Sequence, residues 1–269
     1  MDIGILGFGT LGRALVQGLR TNPRVSRIVA TTRSPRAHFP DVPDVIMLED
    51  NRELASVSDV VALCVKPGQM ENVVRDVASE LREGTLLISV AASVSTQVIE
   101  DWTDGGFPVV RAMPNMPCRI GAGMTALAAG SAATLEHMEL AHDLFSGLGR
   151  VVTVEELLMD AVTAISGCGP AYVYLIVEAL TDAGVSLGLP RKIALELAAQ
   201  TLHGSAALVL ASGVHPAALK DEVTTPAGCT IDGLLALEDG RLRSTLVRAV
   251  AAAARRGTAL VVSPRARQT

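Results

Sequence analysis

Near the start of the chain, an apolar stretch at residues 2–6 runs directly into Gly7-Phe8-Gly9-Thr10-Leu11-Gly12 and from there into a helical pattern. A strand, a G-x-G-x-x-G turn and a helix in that order leave few folds open. Gly7 permits the tight turn, Gly9 lets the backbone approach a pyrophosphate, and Gly12 permits close packing of helix on strand. The first amides of such a helix have no intrahelical acceptor, and its dipole adds positive character, so phosphate oxygens complement it. Gly7, Phe8, Gly9, Thr10, Leu11 and Gly12 are therefore candidate dinucleotide-binding residues.

The same alternation continues through the first half. Strand patterns are predicted at residues 2–6, 27–31, 60–65, 85–90, 109–112, 124–129 and 151–154, with helical patterns at 11–20, 70–81 and 135–148 among them. Continuous Val, Ile and Leu strands between helices predict a parallel sheet covered on both faces, a Rossmann-like doubly wound α/β architecture. After about residue 155 the strand pattern stops. Helices are predicted at 170–185, 190–211 and 241–256, and the first is apolar nearly all round except at Glu178, Thr181 and Asp182. Such helices need burial on every side. The predicted organisation is thus a dinucleotide-binding domain at 1–154 and an all-α dimerisation and substrate domain at 155–269, shared in a homodimer. The basic segment 263–269 is expected to fray.

The end of the second strand selects the cofactor. NAD-preferring sites place an acid there for the ribose 2′-hydroxyl. This chain has Ala30-Thr31-Thr32-Arg33-Ser34. Thr31, Arg33 and Ser34 suit a 2′-phosphate through charge-assisted hydrogen bonds, which predicts NADPH ahead of NADH. Lys66 follows the strand at 60–65, at the carboxyl edge where doubly wound sheets bind ligands. In the helical half, residues 225–230 run into a helical pattern at Ile231, so amides of Thr225, Gly228, Cys229 and Thr230 can face an anion, with the Thr230 hydroxyl as a further donor. Thr224 and Thr225 also suit helix capping.

Composition narrows the partners. The formal net charge is −5 and no basic stripe with interleaved aromatics occurs, so no nucleic-acid partner is expected. Aromatics are only 3% and hydrophobic residues 49%, so the core is built from Ala, Val, Leu and Ile. No basic segment precedes the first apolar run, no apolar run reaches the roughly 18 residues of a membrane span, and a cytoplasmic protein with no membrane association is expected. Cys64, Cys118, Cys168 and Cys229 lack CxxC spacing and the histidines are scattered, so no metal site is expected.

Further motifs carry a resemblance. Val65-Lys66-Pro67, the run from Arg111 to Asn115, the run from Ala164 to Tyr172, Ala183-Gly184-Val185, Gly188-Leu189-Pro190, and the stretch from His215 through Leu219-Lys220-Asp221 to Ile231 follow in order. Together they resemble the pyrroline-5-carboxylate reductase family over nearly the whole chain. The resemblance implies NADPH-dependent reduction of 1-pyrroline-5-carboxylate to L-proline. By position it implies that Gly7 to Leu11 cradle the pyrophosphate, that Asn51, Val65, Lys66, Pro67, Ala92 and Asn115 line the cofactor, and that Glu156, Cys229 and Thr230 meet the substrate. Thr230 and Lys66 are the candidate catalytic residues. It further implies active sites completed by a second subunit and assembly as dimers or pentamers of dimers.

This chain departs from the family pattern at several places. Met116 stands where Thr is usual, Ala227 where the signature loop has Gly, Cys168 where Ser is common, and Gly213 and Glu222 where some relatives carry Glu and Asn. No unambiguous proton donor is visible, so the imine is expected to bind protonated or to take its proton through water or Thr230. Two other functions compete with this reading. One is a paralogue reducing a six-membered piperideine carboxylate, since a single methylene is worth only about 1–3 kcal/mol of discrimination. The other is a catalytically silent NADP-binding regulator.

Overall fold

In the computed structural model the described residues are 1–33 and 42–259. Ser34 and the basic segment 263–269 lie outside them. Contacts divide the chain into two compact units, 1–168 with the chain's end from Ala253, and Gly169–Ala252.

The first unit alternates β1 (Asp2–Leu6), α1 (Thr10–Leu19), β2 (Arg27–Thr31), β3 (Ile46–Leu48), α2 (Asn51–Val57), β4 (Val60–Leu63), α3 (Pro67–Val77), β5 (Leu86–Ser89), α4 (Thr96–Trp102), β6 (Val109–Met113), β7 (Gly123–Ala129), α5 (Leu135–Ser146) and β8 (Gly149–Thr153). Among the described residues the strands form one sheet in the order β3-β2-β1-β4-β5-β6-β7-β8. The order reverses between β1 and β4, which marks the carboxyl edge of these two strands as the ligand crevice. All pairs are parallel except β6 with β7, where Val110 faces Ala129 antiparallel. The all-parallel expectation fails there because a short 3-10 turn, Met116–Ile120, joins the two strands. A connection that short cannot carry a parallel crossover, which needs a dozen or more residues.

The sheet is buried on both faces. Ile3 and Ile5 pack with Leu15, Val16, Leu144 and Phe145 on the α1 and α5 face. Leu6, Leu63 and Leu87 pack with Leu54, Met70, Val74 and Ile99 on the face of α2, α3 and α4. This explains why the strands read as continuous apolar runs. The strand predicted at 60–65 stops at Leu63. The helix predicted from residue 70 starts at Pro67, whose fixed φ and missing N–H suit a first helical position. Two short helices between these strands went unpredicted, each announced only by its cap. Asp50 caps α2 by accepting from the Arg52 amide, and Ser95 caps α4 by accepting from the Val98 amide.

After β8, a 3-10 turn (Glu156–Leu158), the short helix α6 (Met159–Val162) and a π turn (Thr163–Gly167) remain with the first unit. The predicted change of character at 154/155 coincides with the end of the sheet, whereas the break in contacts falls between Cys168 and Gly169.

The second unit holds α7 (Gly169–Ser186), α8 (Arg191–Ser212), α9 (Pro216–Glu222), α10 (Cys229–Asp239) and most of α11 (Leu242–Ala259). Gly188, with φ +93°, turns the chain between α7 and α8. The two helices approach closely at small residues: a Cβ on Gly184 would lie 2.9 Å from the Ala194 Cβ. Their remaining surface is open. Tyr174, Leu175, Leu195, Leu197, Leu208 and Leu210 are exposed apolar side chains. The helical run Glu156–Ser186, which ends in α7, and the helix Arg191–Ser212 have mean hydropathy of 1.3 and 1.4 over 18 residues, long and apolar enough to cross a membrane by length and composition. This corrects the sequence reading that no segment reaches that length. Scattered charges break the apolar runs without lowering their average enough.

Candidate active site

The glycine turn has the form its spacing predicts. Gly7 sits at φ +95°, and a Cβ there would press on Val65 Cγ1 at 2.8 Å and the Cys64 carbonyl oxygen at 2.9 Å. Gly12 is closed in by the Gly7 carbonyl oxygen at 2.7 Å and Ile5 Cγ2 at 3.0 Å, so α1 lies directly on β1. Gly9 is different: a Cβ there would meet nothing within 4 Å. Gly9 caps α1 without a side-chain bond, and the first turn carries no acid. The amides of Thr10, Leu11 and Gly12 thus open a helix of ten residues with no intrahelical acceptor. This arrangement fits a diphosphate.

β2 fixes the turn from beside it. The Thr31 carbonyl accepts from the amides of Gly7 (3.2 Å) and Phe8 (2.9 Å). Thr31 and Phe8 are buried, so what they offer is backbone position and core packing. Arg33, just past β2, is exposed. Val65, Lys66 and Pro67 follow β4 at the same carboxyl edge, with Lys66 exposed as the N-cap of α3. Ala92 follows β5, and Asn51 opens α2 after β3. Cys64, between β4 and Val65, donates its amide to the Leu6 carbonyl. Burial pushes its thiol up to about 12. Asn115 is engaged internally. Its Nδ2 donates to the carbonyl and hydroxyl of Ser166, both at 3.2 Å, and its Oδ1 accepts from the Met124 amide at 2.9 Å. It ties the β6–β7 connection to the π turn.

Glu156 lies in a polar cluster of the same unit. Its Oε1 accepts from the Thr96 amide at 2.8 Å and its Oε2 from the Thr96 hydroxyl at 2.7 Å. Arg111 Nη1 is 3.5 Å from Oε1, and Arg111 Nη2 is 4.0 Å from Asp160 Oδ1. Ser93, at φ +62°, donates to the Gly257 carbonyl at 3.0 Å, and Thr258 donates to Asp160 Oδ2 at 2.8 Å. Ser93, Ser95, Arg111, Glu156, Leu157 and Asp160 line a cavity of about 270 Å³. Of these, sequence reasoning singled out only Glu156. The available signal was a charged residue inside the buried strand Val109–Met113, where Arg111 breaks an otherwise apolar run.

In the second unit the loop at residues 225–230 delivers Gly228 as the N-cap of α10, again without a side-chain cap bond. The Gly228 amide donates to the Thr225 carbonyl at 3.1 Å, closing a turn in which Ala227 sits at φ +57°. A Cβ on Gly228 would collide with the Thr225 hydroxyl, so a larger residue there would force Thr225 into another rotamer. Cys229 and Thr225 are exposed and Thr230 is half-buried at the first turn of an eleven-residue helix.

Residues 156–260 match the family model for pyrroline-5-carboxylate reductase dimerisation, and residues 2–93 match that for NADP oxidoreductase, coenzyme F420-dependent. The pyrroline-5-carboxylate reductase of Pisum sativum is 39% identical over 262 residues, covering 96% of this chain and 95% of its own. That of Synechocystis is 42% identical, covering 97% and 98%. The chain belongs to the pyrroline-5-carboxylate reductase family. The crystal structure of the Plasmodium falciparum pyrroline carboxylate reductase with NADP bound superposes with a TM-score of 0.88 at 31% identity, covering 97% of this chain and 98% of that one. The dimerisation model spans the exposed apolar helices of the second unit, which accords with a homo-oligomer.

Proposed function

We propose that this protein reduces 1-pyrroline-5-carboxylate to L-proline with NADPH. Full-length identity of 39–42% to curated reductases of that name carries the reading. The residues of the glycine turn and the crevice support it. Gly9 leaves backbone open beside the unpaired amides of Thr10, Leu11 and Gly12, where a diphosphate would be held. Arg33 stands exposed where NAD-preferring sites carry an acid, and its guanidinium would pair with a 2′-phosphate. Thr31 holds the turn through its carbonyl, and Val65, Lys66, Pro67, Ala92 and Asn51 border the crevice. When bound, the reduced nicotinamide supplies the hydride for the imine carbon.

The chain's part in the chemistry is positioning. The first-turn amides of α10 and the Thr225 hydroxyl would grip the substrate carboxylate. The Thr230 hydroxyl would hydrogen-bond the ring nitrogen, which arrives protonated or receives its proton there. Fixing the imine in this way converts an encounter between two solutes into a directed step. The helical unit serves a homodimer, and dimers assemble further into rings, up to pentamers of dimers, in the cytoplasm.

The test is to follow NADPH oxidation by purified protein with pyrroline-5-carboxylate and, side by side, with piperideine carboxylate. Faster turnover of the five-membered ring is expected. NADPH binding without oxidation by either imine would overturn the reading in favour of a regulator.

A further inference from the structure

The guanidinium of Arg111 is 7% exposed and stands between two carboxylates of one short segment, Glu156 and Asp160. Its contacts are long, 3.5 Å to Glu156 Oε1 and 4.0 Å to Asp160 Oδ1, and its Nε and Nη2 have no hydrogen-bond partner. A buried arginine that serves only to fasten a fold engages its fork, because unpaired buried donors are costly and an apolar residue packs as well. Arg111 does neither. It lines the cavity of about 270 Å³ with both carboxylates. Each carboxylate also fixes a separate element. Glu156 takes the Thr96 amide and hydroxyl at the start of α4, just beyond the loop that follows β5. Asp160 takes the Thr258 hydroxyl near the end of α11. One cation therefore balances two anions, which set the edges of the cavity.

We propose that Arg111 is a positioning residue of the reductase: it acts through Glu156, holding that carboxylate in place on the cavity wall beside the β5 loop. This rests on the reductase function proposed above. Lysine at this position keeps the charge but loses the fork, so it restores part of the effect. Neutralising both partners together removes the repulsion between Glu156 and Asp160 that the loss of arginine alone would expose, so the doubly changed protein still folds.

The experiment measures kcat and KM for NADPH and pyrroline-5-carboxylate, and Tm, in the wild type, Arg111→Lys, Arg111→Met, Glu156→Gln and the double variant Arg111→Met/Glu156→Gln. NADPH affinity is read separately from quenching of Trp102, the single tryptophan. Expected are losses of at least tenfold in kcat/KM for Arg111→Met and for Glu156→Gln. The double variant should be no worse than the poorer single, because residues acting as one unit are non-additive. Arg111→Lys should recover part of the rate, and the double variant should melt within a few degrees of wild type. Losses that multiply, or a double variant at wild-type rate, overturn the proposal. If the wild type itself does not oxidise NADPH with the imine, the functional reading fails, and the same coupling is then judged on NADPH affinity alone.

Discussion

Replacing Gly9 with alanine separates cofactor binding from folding. At φ −89° and ψ −159°, Gly9 has a backbone any L-residue adopts, and the added methyl meets nothing within 4 Å. Alanine is a poorer N-cap than glycine by roughly 0.5–1 kcal/mol. Against that, it reduces the freedom of the unfolded chain by about 0.4–1 kcal/mol. The two nearly cancel, leaving a residual of at most about 0.5 kcal/mol, or a Tm change of about 2 °C for a chain of this size. Cofactor affinity should respond differently. A methyl between the turn and a diphosphate forfeits at least one charge-assisted hydrogen bond, about 1.5–3 kcal/mol, which is roughly 10- to 100-fold in Kd. Gly12→Ala gives the opposite signature, because its methyl would press on the Gly7 carbonyl at 2.7 Å and destabilise the cofactor-free protein. Circular dichroism melts without cofactor and Trp102 quenching by NADPH measure both. A Gly9→Ala protein that binds NADPH at wild-type strength, or melts more than about 5 °C lower, refutes the assignment of this turn.

Four further outcomes are expected. Ala227→Gly relieves a left-handed residue at a cost of about 1–2 kcal/mol, less the entropy gained by the unfolded chain, so Tm should rise by a few degrees; a fall in the melt would contradict the turn geometry. Arg33→Ala should lower the ratio of kcat/KM with NADPH to that with NADH by about tenfold or more, and an unchanged ratio removes Arg33 from cofactor selection. Thr230→Val should lower kcat/KM severalfold for the imine while sparing NADPH affinity, and full activity excludes its role. Cys64 has its thiol pushed up to about 12, so at pH 8 it stays protonated and a poor nucleophile, whereas Cys229 is exposed. Mass spectrometry after iodoacetamide treatment of the native protein should find Cys229 modified and Cys64 untouched; equal labelling contradicts that burial.

The parts visible in advance were those where one residue type has one physical use. Gly7 and Gly12 announce a turn because a Cβ at either would strike backbone, and Ile5 and Leu6 announce a strand because adjacent apolar residues pack on opposite, covered faces of the sheet. What stayed hidden depends on partners distant in the chain. β3 is three residues long and half-exposed at the sheet edge, too short for any periodicity. The antiparallel pairing of β7 with β6 could not be read because strand direction leaves no mark on composition. Asn115 lies in a family motif, yet its bonds to Ser166 give it an internal task that only coordinates display. The network of Arg111, Glu156, Thr96 and Asp160 joins residues from four elements, so no local window contains it.

Ser93 and Gly257 are 164 positions apart in sequence, and Thr258 and Asp160 are 98 apart. Both pairs belong to the first unit, whose sheet is complete by residue 153. During synthesis on the ribosome, domains assemble as they emerge. The sheet can therefore form while the chain is still growing, but its polar cavity stays unfastened until residues 257 and 258 have been added. A chain stopped before Gly257 would keep the whole sheet and lack this closing clasp.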